Sequence, residues 1–179
     1  MPHVVSASVA QTLDKLLIEH KKDTSLVTVK FVNDVFLNEQ KVSGNLCLSE
    51  IQGEVLKVTC GIGINLNTDK ELYQKLETPG TTLKSEVGIE VDTETVFYML
   101  TEILDKNLDE FFASEDGFKH AHSYIQGKMR LLGHPVRILT PEDELLYQGL
   151  FTSFNDDGSI TLKKDNGEEE KIYNGRMRA

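Results

Sequence analysis

The stretch Lys30-Phe31-Val32-Asn33-Asp34, followed by Lys41-Val42-Ser43-Gly44, decides how this chain folds. The β-branched and aromatic residues at 26–32 predict a strand, and the apolar run at 35–37 predicts a second one. The polar residues 38–40 have the length of a hairpin turn, so the chain after them should fold back beside the second strand. This hairpin would bring Asp34 and Lys41 close together at the rim of a sheet. The alternative is that Asn33-Asp34 is a simple turn and that Lys41 is a solvated strand end.

A second patch, Gly61-Ile62-Gly63-Ile64-Asn65, ends the apolar strand predicted near residues 54–62. Its two glycines permit close approach of the backbone to a bound molecule. It is not the dinucleotide-binding fingerprint, because no third glycine follows in step and no helix begins there. A tight-packing role for these glycines is the alternative.

Taken together, the three motifs resemble the catalytic domain of biotin protein ligases in residue type, order and spacing. The family pattern is Arg/Lys-Trp-Pro-Asn-Asp, then Lys-x-x-Gly, then Gly-x-Gly-x-Asn. Two positions depart from it, since Phe31 stands where the family usually has Trp and Val32 where it has Pro. The change at Phe31 keeps an aromatic ring, whereas the change at Val32 removes a rigid turn residue.

The resemblance implies an ATP-dependent ligase that joins biotin, through biotinyl-5'-AMP, to a lysine of a biotin carboxyl carrier domain. ATP, biotin and Mg²⁺ are the implied substrates and cofactor, and no metal ligand is implied in the chain. Lys41 matches the catalytic lysine that contacts the biotin carboxylate and the α-phosphate oxygens. Asp34 matches the carboxylate that accepts a proton from the acceptor lysine or orients it. The implied ligand-binding residues are Asn33, Gly44, Gly61, Gly63 and Asn65.

One part of the family pattern has no counterpart in this sequence. Biotin protein ligases carry a Gly-Arg-Gly-Arg type loop upstream, whereas here no Gly precedes Gly44 and no Arg precedes Arg130. We therefore expect the chain to correspond to the C-terminal part of such a ligase and to be inactive alone. An uncovered sheet edge and apolar surface should make it form homodimers, exchange strands between copies or aggregate more readily than a whole domain. Two alternatives stay open: a non-catalytic paralogue that binds a carrier domain or another protein, and a relative of the lipoate protein ligases.

The expected fold class is α+β, with a mixed or antiparallel sheet packed by helices and followed by a small SH3-like β-barrel. We predict a catalytic-domain portion at residues 1–132 and a barrel domain at 133–179. The predicted helices cover residues 4–20, 69–77, 81–87, 92–112 and 114–132. The predicted strands cover residues 26–32, 35–37, 41–50, 54–62, 135–140, 145–154, 159–164 and 169–173. In the helix after Asp92, we expect an apolar stripe to face the core: Val96, Phe97, Leu100, Ile103, Leu104, Leu108, Phe111 and Phe112.

Composition limits the other classes of function. The 179 residues include 19 basic and 29 acidic side chains, and the net charge of −10 argues against nucleic-acid binding. Cys47 and Cys60 show no metal-binding or disulfide-framework spacing, so we expect reduced, buried thiols in a cytoplasmic protein. No stretch has the features of a secretion signal or a membrane span. His120 and His122 lie two residues apart on a predicted helix and are poor joint metal ligands.

Overall fold

The computed structural model describes residues 1–75 and 79–179, which form two antiparallel sheets and five α-helices. The helices are α1 (Pro2–Glu19), α2 (Glu71–Gln74), α3 (Leu83–Val87), α4 (Thr93–Ala113) and α5 (Lys119–Gln126), and a 3₁₀ turn spans Thr24–Leu26. The strands of the first sheet are β1 (Val27–Lys30), β2 (Asp34–Leu37), β3 (Gln40–Gln52) and β4 (Val55–Ile64). Those of the second are β5 (Pro135–Leu139), β6 (Leu145–Phe154), β7 (Ile160–Lys163), β8 (Glu169–Ile172) and β9 (Arg176–Arg178).

The first sheet has the order β1-β2-β3-β4 and is antiparallel throughout. The predicted hairpin is confirmed, with Asn38 and Glu39 at its tip in the left-handed region of backbone space. Alternate side chains of β1 and β2 point into the core, where Val27, Val29 and Val35 are fully buried. Helix α1 lies against this inner face and buries Leu13 and Leu17. The peptide bond between Phe31 and Val32, in the β1–β2 connection, is cis.

Helix α5 is much shorter than the predicted helix at 114–132. After it ends, the backbone pairs with β1 instead: Val29 N donates to Lys128 O at 2.8 Å, and Arg130 N donates to Val29 O at 2.8 Å. A segment that forms a β-bridge cannot continue a helix, and this long-range pairing ends the helical pattern early. The predicted helix at 69–77 is likewise reduced to α2, with residues 76–78 outside the described part of the chain. The predicted helix at 81–87 is confirmed as α3.

Helix α4 begins after the predicted cap Asp92, whose carboxylate accepts a hydrogen bond from Thr95 N at 2.8 Å. The predicted apolar stripe is only partly correct. Val96 and Leu100 are buried, but Phe97 and Phe112 are 59% and 68% exposed. The helix packs mainly on α1, which covers only part of so broad a stripe.

The second sheet has the order β8-β7-β6-β5-β9. The predicted SH3-like barrel is wrong: within the described residues, β8 pairs only with β7 and β9 only with β5, so the sheet stays open. β9 has only three residues and pairs with β5. It therefore lies at the opposite edge of the sheet from β8, and no strand in the described residues pairs with β8 to close a barrel.

Both sheets contribute to one hydrophobic core. At their junction the ring of His3 on α1 lies 5.1 Å from that of Phe154 on β6, and His3 Nε2 donates to Gly158 O at 2.8 Å. His122, by contrast, stacks on Phe154 with 4.8 Å between ring centroids.

The predicted domain boundary between residues 132 and 133 stays a prediction. No helix in the described ranges has the length and apolar character needed to cross a lipid bilayer.

Candidate active site

Asp34 and Lys41 form an ion pair on the first sheet, with 2.5 Å between Asp34 Oδ1 and Lys41 Nζ. Their side chains are only 17% and 29% exposed, so water screens the pair incompletely. The backbone of Lys41 is held from the other side, because its carbonyl accepts a hydrogen bond from Thr81 N at 2.7 Å. The predicted closeness of the two residues is confirmed.

A β-bulge explains why Lys41 and Gly44 serve the same site. Residues three apart in a regular strand point to opposite faces of the sheet. Here Asp34 pairs with Gly44 and Phe36 pairs with Lys41, and the register shifts between them. The extra residue on β3 restores Lys41 and Gly44 to one face, while Val42 and Ser43 are buried behind them. The Lys-x-x-Gly spacing is therefore the spacing that a bulged strand requires.

Three glycines leave a bare strip on the face of the sheet beside this ion pair. Gly44 lies directly opposite Gly63, and the next pair on the same face of the sheet is Leu46 with Gly61. A Cβ atom on Gly44 would lie 3.2 Å from Lys41 Nζ and 3.4 Å from Asp34 Oδ1. Gly61 and Gly63 are exposed. A flat ligand could lie directly on the backbone at this strip.

The two predicted asparagines make contacts within the protein. Asn33 Nδ2 donates to Asn45 O at 2.5 Å, and Asn65 Nδ2 donates to Thr81 O at 3.0 Å. The first contact ties the β1–β2 connection to β3, and the second ties the end of β4 to the segment that holds Lys41. Their roles as ligand-binding residues stay predictions.

A cavity of about 190 Å³ opens beside the ion pair, and the second sheet forms its far wall. Its lining includes Lys30 and Lys41 from the first sheet and Arg176 and Arg178 from β9. Arg176 also pairs with Asp143 at 3.1 Å. Sequence reasoning missed both arginines, although Arg-Met-Arg at the end of an acidic chain was a usable signal.

Among the described residues that line the cavity, four are cationic and one, Asp34, carries a carboxylate. Lys30 is buried, and burial lowers the pKa of its ammonium group, an effect that Asp34 partly offsets and that Arg178, Lys41 and Arg130 reinforce. Lys30 Nζ also lies 5.6 Å from the centre of the Phe36 ring. Cations held this close together favour an anionic ligand. The chain as a whole has a net charge of −10, so this cationic patch contrasts with the rest of the protein.

The part of the chain that carries the three motifs is similar to a known protein family. Residues 1–65, which include all three motifs, match the Biotin/lipoate A/B protein ligase family. No protein with a curated description matches the chain significantly.

Solved structures extend the biotin ligase likeness beyond residues 1–65, to 99% of the chain. The biotin protein ligase from Aquifex aeolicus, in complex with biotin and ATP, is 27% identical with a TM-score of 0.77, over 99% of this chain and 69% of that chain. Its apo structure gives 26% identity and the same TM-score, over 72% of that chain. The Leishmania major ligase with biotinyl-5-AMP is 16% identical with a TM-score of 0.53, over 96% of this chain and 70% of that chain, and supports the fold alone. The biotin protein ligase resemblance that the motifs predicted is confirmed.

Proposed function

We propose that the chain carries the adenylate site of an ATP-dependent biotin protein ligase. The observation that carries this proposal is the Asp34–Lys41 pair, which lies beside the bare glycine strip and itself lines a cavity whose described lining includes four cations. Such a site suits a ligand with a flat apolar part and a phosphate group. Biotinyl-5'-AMP has both, and the Aquifex ligase with biotin and ATP supports this choice.

In the first step, a carboxylate oxygen of biotin would attack the α-phosphorus of ATP, and pyrophosphate would leave. Both reactants are anions, so the main tasks are to bring them together and to balance charge on the phosphate oxygens. Lys41 would contact the carboxylate and the α-phosphate. Lys30 and the β9 arginines would attract the remaining phosphates.

In the second step, the amine of a carrier-domain lysine would attack the carbonyl carbon of the mixed anhydride, and AMP would leave. That amine must be neutral when it attacks. Asp34 would orient it and accept its proton, while Lys41 would stabilise the departing phosphate. The partner implied is the biotin carboxyl carrier domain of a biotin-dependent carboxylase.

The residues around the cavity do not fit a magnesium ion held by the protein itself. Mg²⁺ prefers several oxygen ligands, and Asp34 is the one carboxylate among the described lining residues, beside two lysines and two arginines. No group of three or more His, Cys, Asp or Glu side chains in the described ranges could hold a metal. Magnesium for this reaction would enter on the phosphates of ATP.

A second candidate function is binding without catalysis. The observation that favours it is that, within these 179 residues, no Gly precedes Gly44 and no Arg precedes Arg130, so this stretch itself holds no Gly-Arg loop of the family type. We accordingly propose that these 179 residues alone bind the adenylate but do not form it. The lipoate ligase alternative predicts the same site with preference for a lipoyl adenylate.

The test pairs a binding assay with an activity assay. Isothermal titration calorimetry with a non-hydrolysable biotinyl-AMP analogue should show saturable binding, and a lipoyl analogue should bind at least about tenfold more weakly. Pyrophosphate exchange with biotin and ATP should stay at background. Measurable exchange would overturn the proposed inactivity, and tighter binding of the lipoyl analogue would overturn the choice of biotin.

Lys41→Met supplies the site control, because it keeps the aliphatic stem and removes the charge. Lys106→Met on α4 is its match, since Lys106 is 73% exposed and makes only a 4.0 Å contact with Glu110. Lys41→Met should abolish binding and Lys106→Met should leave it unchanged. Absence of analogue binding in the wild-type chain would reject the adenylate site.

A further inference from the structure

The two cysteines of the chain lie directly opposite each other on β3 and β4. Cys47 Sγ and Cys60 Sγ are 3.0 Å apart, and both are free thiols. Opposed residues in an antiparallel pair have Cα atoms about 4.5–5.5 Å apart, which lies within the range of about 4.4–6.8 Å that disulfides span. The strand pairing therefore holds the two thiols close enough for a disulfide to form between them.

An apolar groove of about 330 Å³ gives access to one of the thiols. It runs between β4, the start of α1 and the C-terminal half of α4. Cys60, and not Cys47, is one of the described residues that line it. Burial raises the pKa of the Cys47 thiol to about 12, which disfavours its thiolate. The described residues that line the groove are Met1, Val5, Leu56, Val58, Cys60, Leu104, Leu108 and Phe112.

We propose that Cys47 and Cys60 are a modification site, which closes to an intramolecular disulfide by exchange with a neutral low-molecular-weight disulfide. The apolar lining of the groove favours a neutral reagent over a charged one. The site lies on the opposite face of the sheet from the glycine strip, because strand residues alternate between faces. It is therefore independent of the proposed ligase function.

The exchange proceeds in two balanced steps. The Cys60 thiolate attacks one sulfur of the small disulfide, whose S–S bond breaks, and one thiol leaves with the proton that Cys60 lost. The Cys47 thiolate then attacks Cys60 Sγ in the mixed disulfide. The Cys47–Cys60 bond forms, and the second thiol leaves with the proton from Cys47. The protein loses two electrons and two protons, and the small disulfide gains them.

The new bond would join two strands that are already in register. It closes a loop around the β3–β4 hairpin, whose outer residues, including Ile51 and Val55, are largely exposed. Closing a loop of this size restricts the unfolded chain and should raise Tm by about 6–12 °C.

The test uses the intact, fully reduced chain and bis(2-hydroxyethyl) disulfide as the probe. After exchange, acid quench and alkylation, intact-mass analysis should show loss of two hydrogens, no alkylation and no added probe. Tm should rise and should return after treatment with a dithiol reductant. A persistent mixed disulfide, a disulfide-linked dimer or two alkylated cysteines would overturn the proposal.

Single variants test the order of attack. Cys47→Ser keeps the thiol in the groove, and its mixed disulfide should form at least about tenfold faster than that of Cys60→Ser. Both variants should stop at the mixed disulfide, and circular dichroism should confirm that each is folded. Equal rates, or a faster reaction of Cys60→Ser, would overturn the assignment of Cys60 as the attacking thiol.

Discussion

Asp34 on β2 lies directly opposite Gly44 on β3, and the ammonium group of Lys41 lies over the space that a side chain at Gly44 would fill. We predict that Gly44→Val separates Lys41 from Asp34, because its Cβ alone would come within 3.2 Å of Lys41 Nζ. Binding of a biotinyl-AMP analogue should weaken by at least about tenfold in calorimetry. The free energy of unfolding should change by less than about 1 kcal/mol, since valine suits a strand.

Gly127→Ala is the matched control for this variant. Gly127 has ordinary helical dihedrals at the end of α5, and its Cβ would meet nothing closer than 3.7 Å. It should bind the analogue as the wild-type chain does. Unchanged binding by Gly44→Val would show that the bare strip is not where the ligand lies.

The second prediction concerns the charge that β9 contributes to the cavity. Arg178→Gln should weaken ATP binding by about tenfold, because a half-buried cation that hydrogen-bonds a phosphate contributes about 1.4 kcal/mol or more. Its binding should also depend less steeply on salt concentration than that of the wild-type chain.

Lys163→Gln on β7 removes one charge from an exposed position that does not line the cavity, and should leave ATP affinity and its salt dependence unchanged. Equal losses in both variants would mean that net charge, rather than the position of Arg178, governs binding.

The local parts of this site could be predicted from sequence, whereas the parts that depend on tertiary structure could not. The turn residues and alternating strands around Asp34 are local signals, and they correctly predicted a hairpin that brings Lys41 near. The β-bulge at Val42 and Ser43 could not be predicted from such local signals, because it depends on the burial of both side chains in the folded protein.

Long-range pairing explains the remaining differences. Residues 128–130 follow a helical pattern, yet their backbone bonds to Val29, about a hundred residues earlier in the chain. Arg178 enters the cavity only because β9 pairs with β5. The same pairing leaves the second sheet open where a barrel was predicted. The basic residues of Arg-Met-Arg are visible in the sequence, but none of these long-range pairings has a signature in local composition.

The third prediction concerns a polar cluster that holds α1 against α5. Asp14 accepts hydrogen bonds from Tyr124 Oη at 2.7 Å and from Lys128 Nζ at 3.0 Å. Asp14→Ala would leave the ammonium of Lys128, whose side chain is only 15% exposed, without its carboxylate. We expect a loss of about 2 kcal/mol in urea unfolding.

The exposed Lys106–Glu110 pair provides the comparison for Asp14. Lys106→Gln should cost less than about 0.5 kcal/mol, because an exposed ion pair contributes little. A similar small loss in Asp14→Ala would show that the cluster is not a stabilising contact.

The fourth prediction is a loss of stability in mild acid that originates at His3. Burial among the rings of Phe31, Phe118 and Phe154 lowers the pKa of His3 from 6.5 to about 4. The folded chain therefore binds this proton less well than the unfolded chain, so stability is complete above pH 6.5 and falls as the pH drops towards 4. At pH 5 the loss should be about 2 kcal/mol relative to pH 7.5. His3→Gln keeps a donor for Gly158 O but cannot titrate, so its urea unfolding should show a pH dependence smaller by that amount. An equal pH dependence in both proteins would assign the acid sensitivity to other groups.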